Sequence, residues 1–349
     1  MHRPFAVQLT KIGSRISMHT KIIAEVAQGY EGEANYCALY VRAAAKAGAD
    51  AVKFQVVFAD DLSEPGHEYY ELYQSLEMAP SVWREVREQA DKLGIEFVID
   101  IFGEQSLAVA RDCKPDGIKL HASDFFNRSL LWDSFALATQ VFVSVGGIAG
   151  EEIDQLVDEV TKMGQRDRLV LLTGFQAEPT PIARSNLLRL KTLRERHAGV
   201  QVGYLDHAQG DSEDQTHLSV MAMTLGADWI EKHITLSRYL EFEDYISALE
   251  PDEFAVYMAT LNRLDPAFGD GDMTLSEDER RYRGKSVKKL LTARQLAAGQ
   301  QLEITDLVFA RTGRVDVFEG FHDPAMVIGK SLSCALEARE PLLAKHLNG

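Results

Sequence analysis

Short apolar runs alternate with amphipathic segments along most of the chain, and this alternation predicts the architecture. The runs are rich in Val, Ile, Leu and Phe, as the buried strands of a parallel sheet are. Eight of them occur, at 21–27, 50–57, 95–102, 116–124, 139–147, 168–174, 200–207 and 226–235. Eight strands separated by helices predict a (β/α)8 TIM barrel. A doubly wound open sheet is the alternative, but no glycine-rich dinucleotide fingerprint follows the first run.

The segments between the apolar runs show helical spacing of their apolar residues. In 151–164, Ile153, Leu156, Val157 and Val160 share one face, and Gly164 ends the segment. Comparable segments, several of them closed by a glycine, lie at 33–46, 81–94, 186–197 and 212–225. Such helices would cover the outside of a barrel, so the spacing supports the predicted fold.

Two of the apolar runs end in a histidine that stands near an acidic residue. His207 follows Asp206, and His233 lies two residues after Glu231. If the two runs are neighbouring parallel strands, both imidazoles emerge at the carboxyl end of the sheet, where such folds keep their chemistry. Imidazoles with nearby carboxylates suit a divalent metal, Mn²⁺ in particular. A single histidine of this kind is more often structural, so the metal-site hypothesis depends on the presence of both histidines.

Charged and polar residues interrupt other apolar runs, where an unpaired charge is costly. A lysine inside a strand needs an anion or a carboxylate as its partner. In a barrel, these side chains would converge on one opening, although a carboxylate at a strand end can also be a simple rim residue. The residues are Glu25, Lys53, Gln55, Asp100, Lys119, Ser144 and Glu231.

The composition changes near Pro266, where a polar, turn-rich stretch begins. We therefore expect a leader at 1–20, a barrel domain at 21–265, a linker at 266–284 and a small module at 285–349. The last module is small for an independent core, so we expect it to lean on the barrel or on another subunit.

Composition narrows the choice of partners. A net charge of −16 argues against a nucleic-acid surface, because phosphate backbones are bound by Lys and Arg. The cysteines Cys37, Cys113 and Cys334 are odd in number and far apart, as expected of reduced thiols. The amino terminus lacks the features of a signal peptide, and no apolar run approaches the length of a membrane span. We expect a cytoplasmic protein that binds neither nucleic acid nor a membrane.

Several motifs together resemble the sialic acid (N-acetylneuraminate, NeuB-like) synthases. They are I-I-A-E-V, G-A-D-A-V-K-F-Q, D-G-I-K-L, S-V-G-G, D-H and G-A-D-W-I-E-K-H-I-T, in that order. Near the carboxyl terminus, L-T-A-R-Q-L-A-A-G-Q-Q-L, L-V-F-A-R-T-G and V-I-G-K-S-L resemble the antifreeze-like (SAF) domain of the same family. The resemblance spans residues 21–349 and depends on the combination, since no single motif would suffice.

The resemblance implies a reaction and a role for each candidate residue. The family condenses phosphoenolpyruvate with an open-chain hexosamine aldehyde and uses a divalent metal, usually Mn²⁺. His207 and His233 match the metal ligands, and Lys53, Lys119 and Ser144 match positions that bind phosphoenolpyruvate. Positions around the sugar and the reacting water correspond to Glu25, Gln55, Gln176, Glu231 and Asp244. Arg311 matches an arginine that reaches into the partner's barrel, which implies a domain-swapped homodimer.

The sequence departs from the family pattern at several of these positions. A Ser or Thr is expected where Asp100 stands, an Asn at Gln176 and a Tyr at Glu178. Further departures are Ala122 and Leu205, where the family has Ser, and the loop Gly29-Tyr30-Glu31-Gly32, where it has Asn-His-Asn-Gly. A related barrel enzyme with a different acceptor or an aldolase-like reaction is therefore an alternative. A non-catalytic, sugar-binding member is another, and the buried charges argue against it.

Overall fold

A computed structural model describes residues 20–348 of the chain, so the predicted leader at 1–20 falls almost entirely outside the described residues. The chain divides into two compact units, with the division after Asp270. The first unit carries the strands and helices predicted for the barrel. The second contains the segment predicted as the small module.

Eight parallel strands close on themselves in the first unit, and consecutive strands are neighbours all the way round. The strands are β1 (Lys21–Ala27), β2 (Ala51–Gln55), β3 (Glu96–Ile101), β4 (Gly117–Leu120), β5 (Gln140–Ser144), β6 (Leu169–Thr173), β7 (Gln201–Asp206) and β8 (Trp229–His233). β8 pairs with β1 and closes the ring, with His233 opposite Glu25. The predicted (β/α)8 barrel is confirmed.

Helices follow the strands around the barrel. They are α1 (Ala34–Ala47), α2 (Ala59–Leu62), α3 (Tyr70–Leu76), α4 (Pro80–Leu93), α5 (Glu104–Cys113), α6 (Arg128–Leu137), α7 (Gly150–Lys162), α8 (Leu188–Arg196), α9 (Asp214–Thr224) and α10 (Pro251–Leu264). The apolar face predicted for 151–164 is buried in α7. Within the described residues, no helix is both long and apolar enough to cross a bilayer.

The two-residue alternation of the strands divides the buried apolar residues into two sets. One set faces outward and packs against the helices. The other fills the barrel itself, where the rings of Phe142 and Trp229 meet edge to face with 4.9 Å between their centroids. Its members are Ile23, Ala51, Val98, Phe142, Val170, Leu172, Leu205 and Trp229. Because two positions along a strand share a face, residues such as Glu25 and Glu231 also point into the barrel.

The second unit has a helix, an antiparallel strand pair and a small apolar core. Helix α11 (Glu277–Ser286) precedes strands β9 (Lys289–Thr292) and β10 (Leu307–Ala310). The Ser276 hydroxyl accepts a hydrogen bond from the Glu279 N–H, and the Glu279 carboxylate accepts one from the Ser276 N–H. This capping box explains a helix inside the segment predicted as a linker. The bounds 21–265, 266–284 and 285–349, and the antifreeze-like nature of the last segment, stay predictions.

Candidate active site

A polar cavity of about 540 Å³ opens at the carboxyl ends of the barrel strands. Parallel strands present the residues at and just beyond their ends to a common opening, so residues far apart in sequence meet there. The lining includes most of the residues singled out from the sequence. It is formed by Glu25, Gln28, Gln55, Leu62, His67, Tyr73, Phe102, Lys119, His121, Ser123, Gln176, Glu178, His207, Glu231, His233, Glu243 and Asp244.

Five charged side chains form a buried cluster at the floor of this cavity. The Lys53 ammonium contacts Glu25 and lies 2.9 Å from Asp100 Oδ1 and 3.5 Å from Glu231 Oε2. The Lys119 ammonium lies 2.7 Å from Glu231 Oε1 and 3.4 Å from Asp100 Oδ2. At most 2% of any of these side chains is exposed. The need for carboxylate partners, predicted for lysines within strands, is therefore met inside the protein.

The three carboxylates of the cluster outnumber the two ammonium groups, and one proton restores neutrality. Burial raises the pKa of Glu25 to about 8, and repulsion from Glu231 and Asp100 adds to the rise against the opposing attraction of Lys53. Burial would also raise the pKa of Glu231, but Lys119 and Lys53 together hold it below its usual range. The cluster thus raises the pKa of Glu25 and lowers that of Glu231, so Glu25 is the more readily protonated of the two acids.

The two histidines predicted as metal ligands lie side by side at the cavity wall. Their ring centroids are 4.7 Å apart. His207 and His233 each offer a ring nitrogen, and Glu178 a carboxylate oxygen, within 4.8 Å of one another. Burial lowers the pKa of His207 to about 4 and that of His233 well below its usual value, so both rings are neutral. Neutral imidazoles with a carboxylate form a suitable ligand set for a divalent metal.

A second observation supports a metal at this place. Nδ1 of His207 and Nδ1 of His233 are buried without a hydrogen-bond partner among the protein atoms. A buried nitrogen without a partner is costly, and a bound ion or an ordered water would satisfy it. On its other nitrogen, His233 lies 3.1 Å from a carboxylate oxygen of Asp244. Glu178 was recognised in the sequence only as a departure from the family, because a loop residue has no periodic position that would assign it to a site.

The acid before His207 does not face the cavity. Asp206 and Lys232 are fully buried, with 3.5 Å between their charged atoms, on the helix side of the barrel wall. Asp206 also accepts hydrogen bonds from the Ala208 N–H and the Ser219 hydroxyl, and Ser219 in turn accepts one from Tyr257. The pair therefore anchors the strand ends that carry the two histidines, and it does not contact the cavity.

The remaining residues singled out from the sequence divide between the two units. The Ser144 hydroxyl is buried and has no hydrogen-bond partner, and Gln55 accepts a hydrogen bond from Gln28 at 2.8 Å. Gln176 lies 3.4 Å from the ring of His121, another lining residue that the sequence did not single out. Arg311 belongs to the second unit, where it is exposed and donates to the Ser286 carbonyl.

Comparison with known proteins places the chain in a family. The sequence model of the NeuB family matches residues 40–273. N,N'-diacetyllegionaminic acid synthase of Legionella pneumophila is 27% identical over 348 residues, covering 95% of each chain. Pseudaminic acid synthase of Campylobacter jejuni is 30% identical over 297 residues, covering 81% of this chain and 82% of the relative.

A solved structure agrees in fold. The crystal structure of N-acetylneuraminic acid synthetase from Leptospira borgpetersenii, in complex with citrate, matches with a TM-score of 0.70 at 25% identity. The match covers 77% of this chain and 93% of that one. The barrel and its polar cavity define a (β/α)8 protein laid out as such enzymes are, with ionisable groups at the carboxyl ends of the strands. Since the family match spans more than half of the sequence, the chain belongs to the NeuB family.

Proposed function

We propose that the chain is a metal-dependent synthase that condenses phosphoenolpyruvate with an open-chain hexosamine aldehyde, giving a nonulosonic acid and phosphate. One observation carries the proposal: two buried imidazoles with unpartnered nitrogens line one barrel cavity with Lys119, and Lys53 lies behind the lining, 3.5 Å from Glu231. The imidazoles suit a cation and the lysines an anion. The names of the relatives from Legionella and Campylobacter support this class of product.

In this proposal, Lys53, Lys119 and Ser144 hold the phosphate and carboxylate of the donor. Ammonium groups in a site closed to water interact strongly with such anions. His207 and His233, with Glu178 beside them, would hold the metal, most suitably Mn²⁺. A divalent metal bound there supplies Lewis acidity, which polarises the aldehyde and stabilises the charge that develops on its oxygen.

The protonation states of two acids assign them opposite tasks. Carbon–carbon bond formation leaves a negative charge on the former aldehyde oxygen and a cation at the donor carbon. Glu25, whose raised pKa favours its protonated form, can donate a proton to that oxygen. Glu231, which is ionised, can accept a proton from the water that adds to the cation, after which phosphate leaves by C–O cleavage. Two carboxyl groups with pKa values pushed apart are typical of an acid and base pair.

The cavity favours an acceptor without a negative charge. Five acidic side chains line it, those of Glu25, Glu178, Glu231, Glu243 and Asp244, whereas Lys119 is the one lysine among the described lining residues. The amides of Gln55 and Gln176 and the carboxylate of Asp244 are suitable partners for sugar hydroxyls. Arg311 would enter the barrel of a partner subunit, as in the domain-swapped homodimer that the family resemblance implies.

A phosphate-release assay tests the proposal. After treatment with a chelator, the chain is supplied with phosphoenolpyruvate, a panel of hexose and hexosamine aldehydes and either Mn²⁺ or no metal. We expect Mn²⁺-dependent release of phosphate with at least one hexosamine, and a product mass equal to acceptor plus pyruvate. His207→Ala should abolish release, whereas His217→Ala, on the exposed face of α9, should retain it. Release that survives His207→Ala, or no release with any acceptor, would contradict the proposal.

A further inference from the structure

Asp100 lies between the two lysines of the buried cluster and gives one carboxylate oxygen to each. Oδ1 is 2.9 Å from the Lys53 ammonium, and Oδ2 is 3.4 Å from the Lys119 ammonium. The position follows from sheet register, because β3 lies between β2 and β4, and Asp100 pairs directly with Lys119. A carboxylate that bridges two ammonium groups competes with any external anion for their charge.

The other two acids of the cluster are placed differently. Glu25 and Glu231 line the cavity and are reachable from it, whereas Asp100 does not line it and has no exposed surface. Asp100 is therefore not placed to contact a sugar, a metal or the reacting water. Its interactions are with the two lysines, so its effect on a bound ligand passes through them.

Asp100 changes the charge that an incoming anion meets. Its carboxylate lies against both ammonium groups, so replacing it by a neutral side chain removes one negative charge from beside the two lysines. In a buried site, one unit charge a few ångströms from a phosphate dianion changes its binding by well over tenfold. A neutral side chain at this position would leave both lysines free for phosphate.

We propose that Asp100 is a specificity-determining residue that weakens the hold of Lys53 and Lys119 on phosphate groups. This inference rests on the proposed role of the two lysines as the donor site. Inorganic phosphate is a product of the proposed reaction, and it carries the same dianionic group as the donor. A built-in carboxylate that competes for the lysines keeps this product weakly bound, so that phosphate leaves the barrel readily.

Calorimetric titration of the full, metal-free chain with inorganic phosphate, and separately with phosphoenolpyruvate, tests the inference. Asp100→Asn keeps the size of the side chain and removes its charge, and we expect it to bind phosphate at least tenfold more tightly than the unchanged chain. Asp100→Ser, which installs a hydroxyl, is the second variant if the first does not fold by circular dichroism. Phosphate affinity that is unchanged or weaker in the folded variants overturns the inference.

A matched control separates the local effect from the general loss of a buried acid. Asp206→Asn also removes a fully buried carboxylate that is paired with a lysine, but on the helix side of the barrel wall. We expect its phosphate affinity to equal that of the unchanged chain, and an equal tightening in this variant would overturn the inference. The phosphate-release assay on the unchanged chain does not depend on the outcome of these titrations. A failure of the proposed function is therefore distinguishable from a failure of the role proposed for Asp100.

Discussion

Replacing Lys232 by methionine tests how the barrel holds its two histidines in place. Lys232 is fully buried, its ammonium lies 3.5 Å from Asp206, and it donates a hydrogen bond to the Ala208 carbonyl at 3.2 Å. Methionine fills a similar volume without a charge. Lys232→Met therefore leaves the Asp206 carboxylate in an apolar layer without its counter-charge, while the packing stays nearly constant.

The expected cost follows from the partners that Asp206 would keep. Removing one member of a buried ion pair destabilises a protein by about 3–5 kcal/mol, because the other charge stays buried. Asp206 retains the Ala208 N–H at 2.9 Å and the Ser219 hydroxyl at 3.4 Å, which favours the lower end of this range. We expect Lys232→Met to lower the free energy of unfolding by about 3 kcal/mol. That is a large share of the about 5–15 kcal/mol typical of a folded domain.

Urea unfolding followed by circular dichroism measures this change. The control is Lys191→Met on α8, whose side chain is 60% exposed in a surface pair with Glu195, and it should stay within about 0.5 kcal/mol of the unchanged chain. The double variant Lys232→Met/Asp206→Asn should recover part of the loss, because the stranded charge is gone. A cost for Lys232→Met no larger than that of Lys191→Met would show that the buried pair with Asp206 does not stabilise the barrel.

Three further predictions concern the site and the barrel. Glu178→Gln should weaken Mn²⁺ binding at least tenfold in a calorimetric titration. Glu243→Gln removes another cavity carboxylate that lies outside the ligand group, and it should leave Mn²⁺ binding unchanged. Equal losses of affinity in the two variants would count against Glu178 as a ligand. Because the pKa of Glu25 is raised from 4.5 to about 8, its stabilising contribution is complete below pH 4.5 and is lost as the pH rises through 8. The free energy of unfolding of the metal-free chain should therefore fall between pH 5.5 and 7.5 by about 1.4 kcal/mol per pH unit relative to that of Glu25→Gln. If the two proteins show parallel curves of unfolding free energy against pH, the raised pKa of Glu25 is disproved. Gly203→Ala should destabilise the barrel by about 1–3 kcal/mol in urea unfolding. The reason is that a Cβ there would lie 2.5 Å from a leucine methyl group and 2.8 Å from the Trp229 carbonyl oxygen. A change below about 0.5 kcal/mol would show that the barrel core rearranges to accept the methyl group.

The strands and most of their inward charges could be predicted because period-two alternation is a local property of sequence. Once Leu205 faces inward, His207 does too, and the intervening Asp206 must face the helices. Asp206 therefore pairs with Lys232 on the helix side and does not join His207 at the cavity. The (β/α)8 fold was predictable for the same reason, since eight buried runs with helical spacers are compatible with few architectures.

Other features depended on contacts that local pattern does not contain. That Asp100 bridges Lys53 and Lys119 follows from the closure of three neighbouring strands, and the sequence alone indicated only that each lysine needs a partner. Glu178 lies in a loop after β6, where no periodicity indicates the direction of a side chain. Helix α11 was hidden by its strongly polar composition, which resembles that of a linker, although its capping box can be found in the sequence.

The apolar layer around Phe142 and Trp229 fills the barrel interior, so the barrel is not a continuous channel. Among the described residues, the charged cluster is reached from the carboxyl-terminal opening, where the cavity lies. Under the proposed function, an acceptor bound nearer the opening than the donor would enter after it and leave before it, because the apolar layer lies on the other side of the charged cluster. A saturating, unreactive sugar should then trap a donor already inside and slow its exchange with solution.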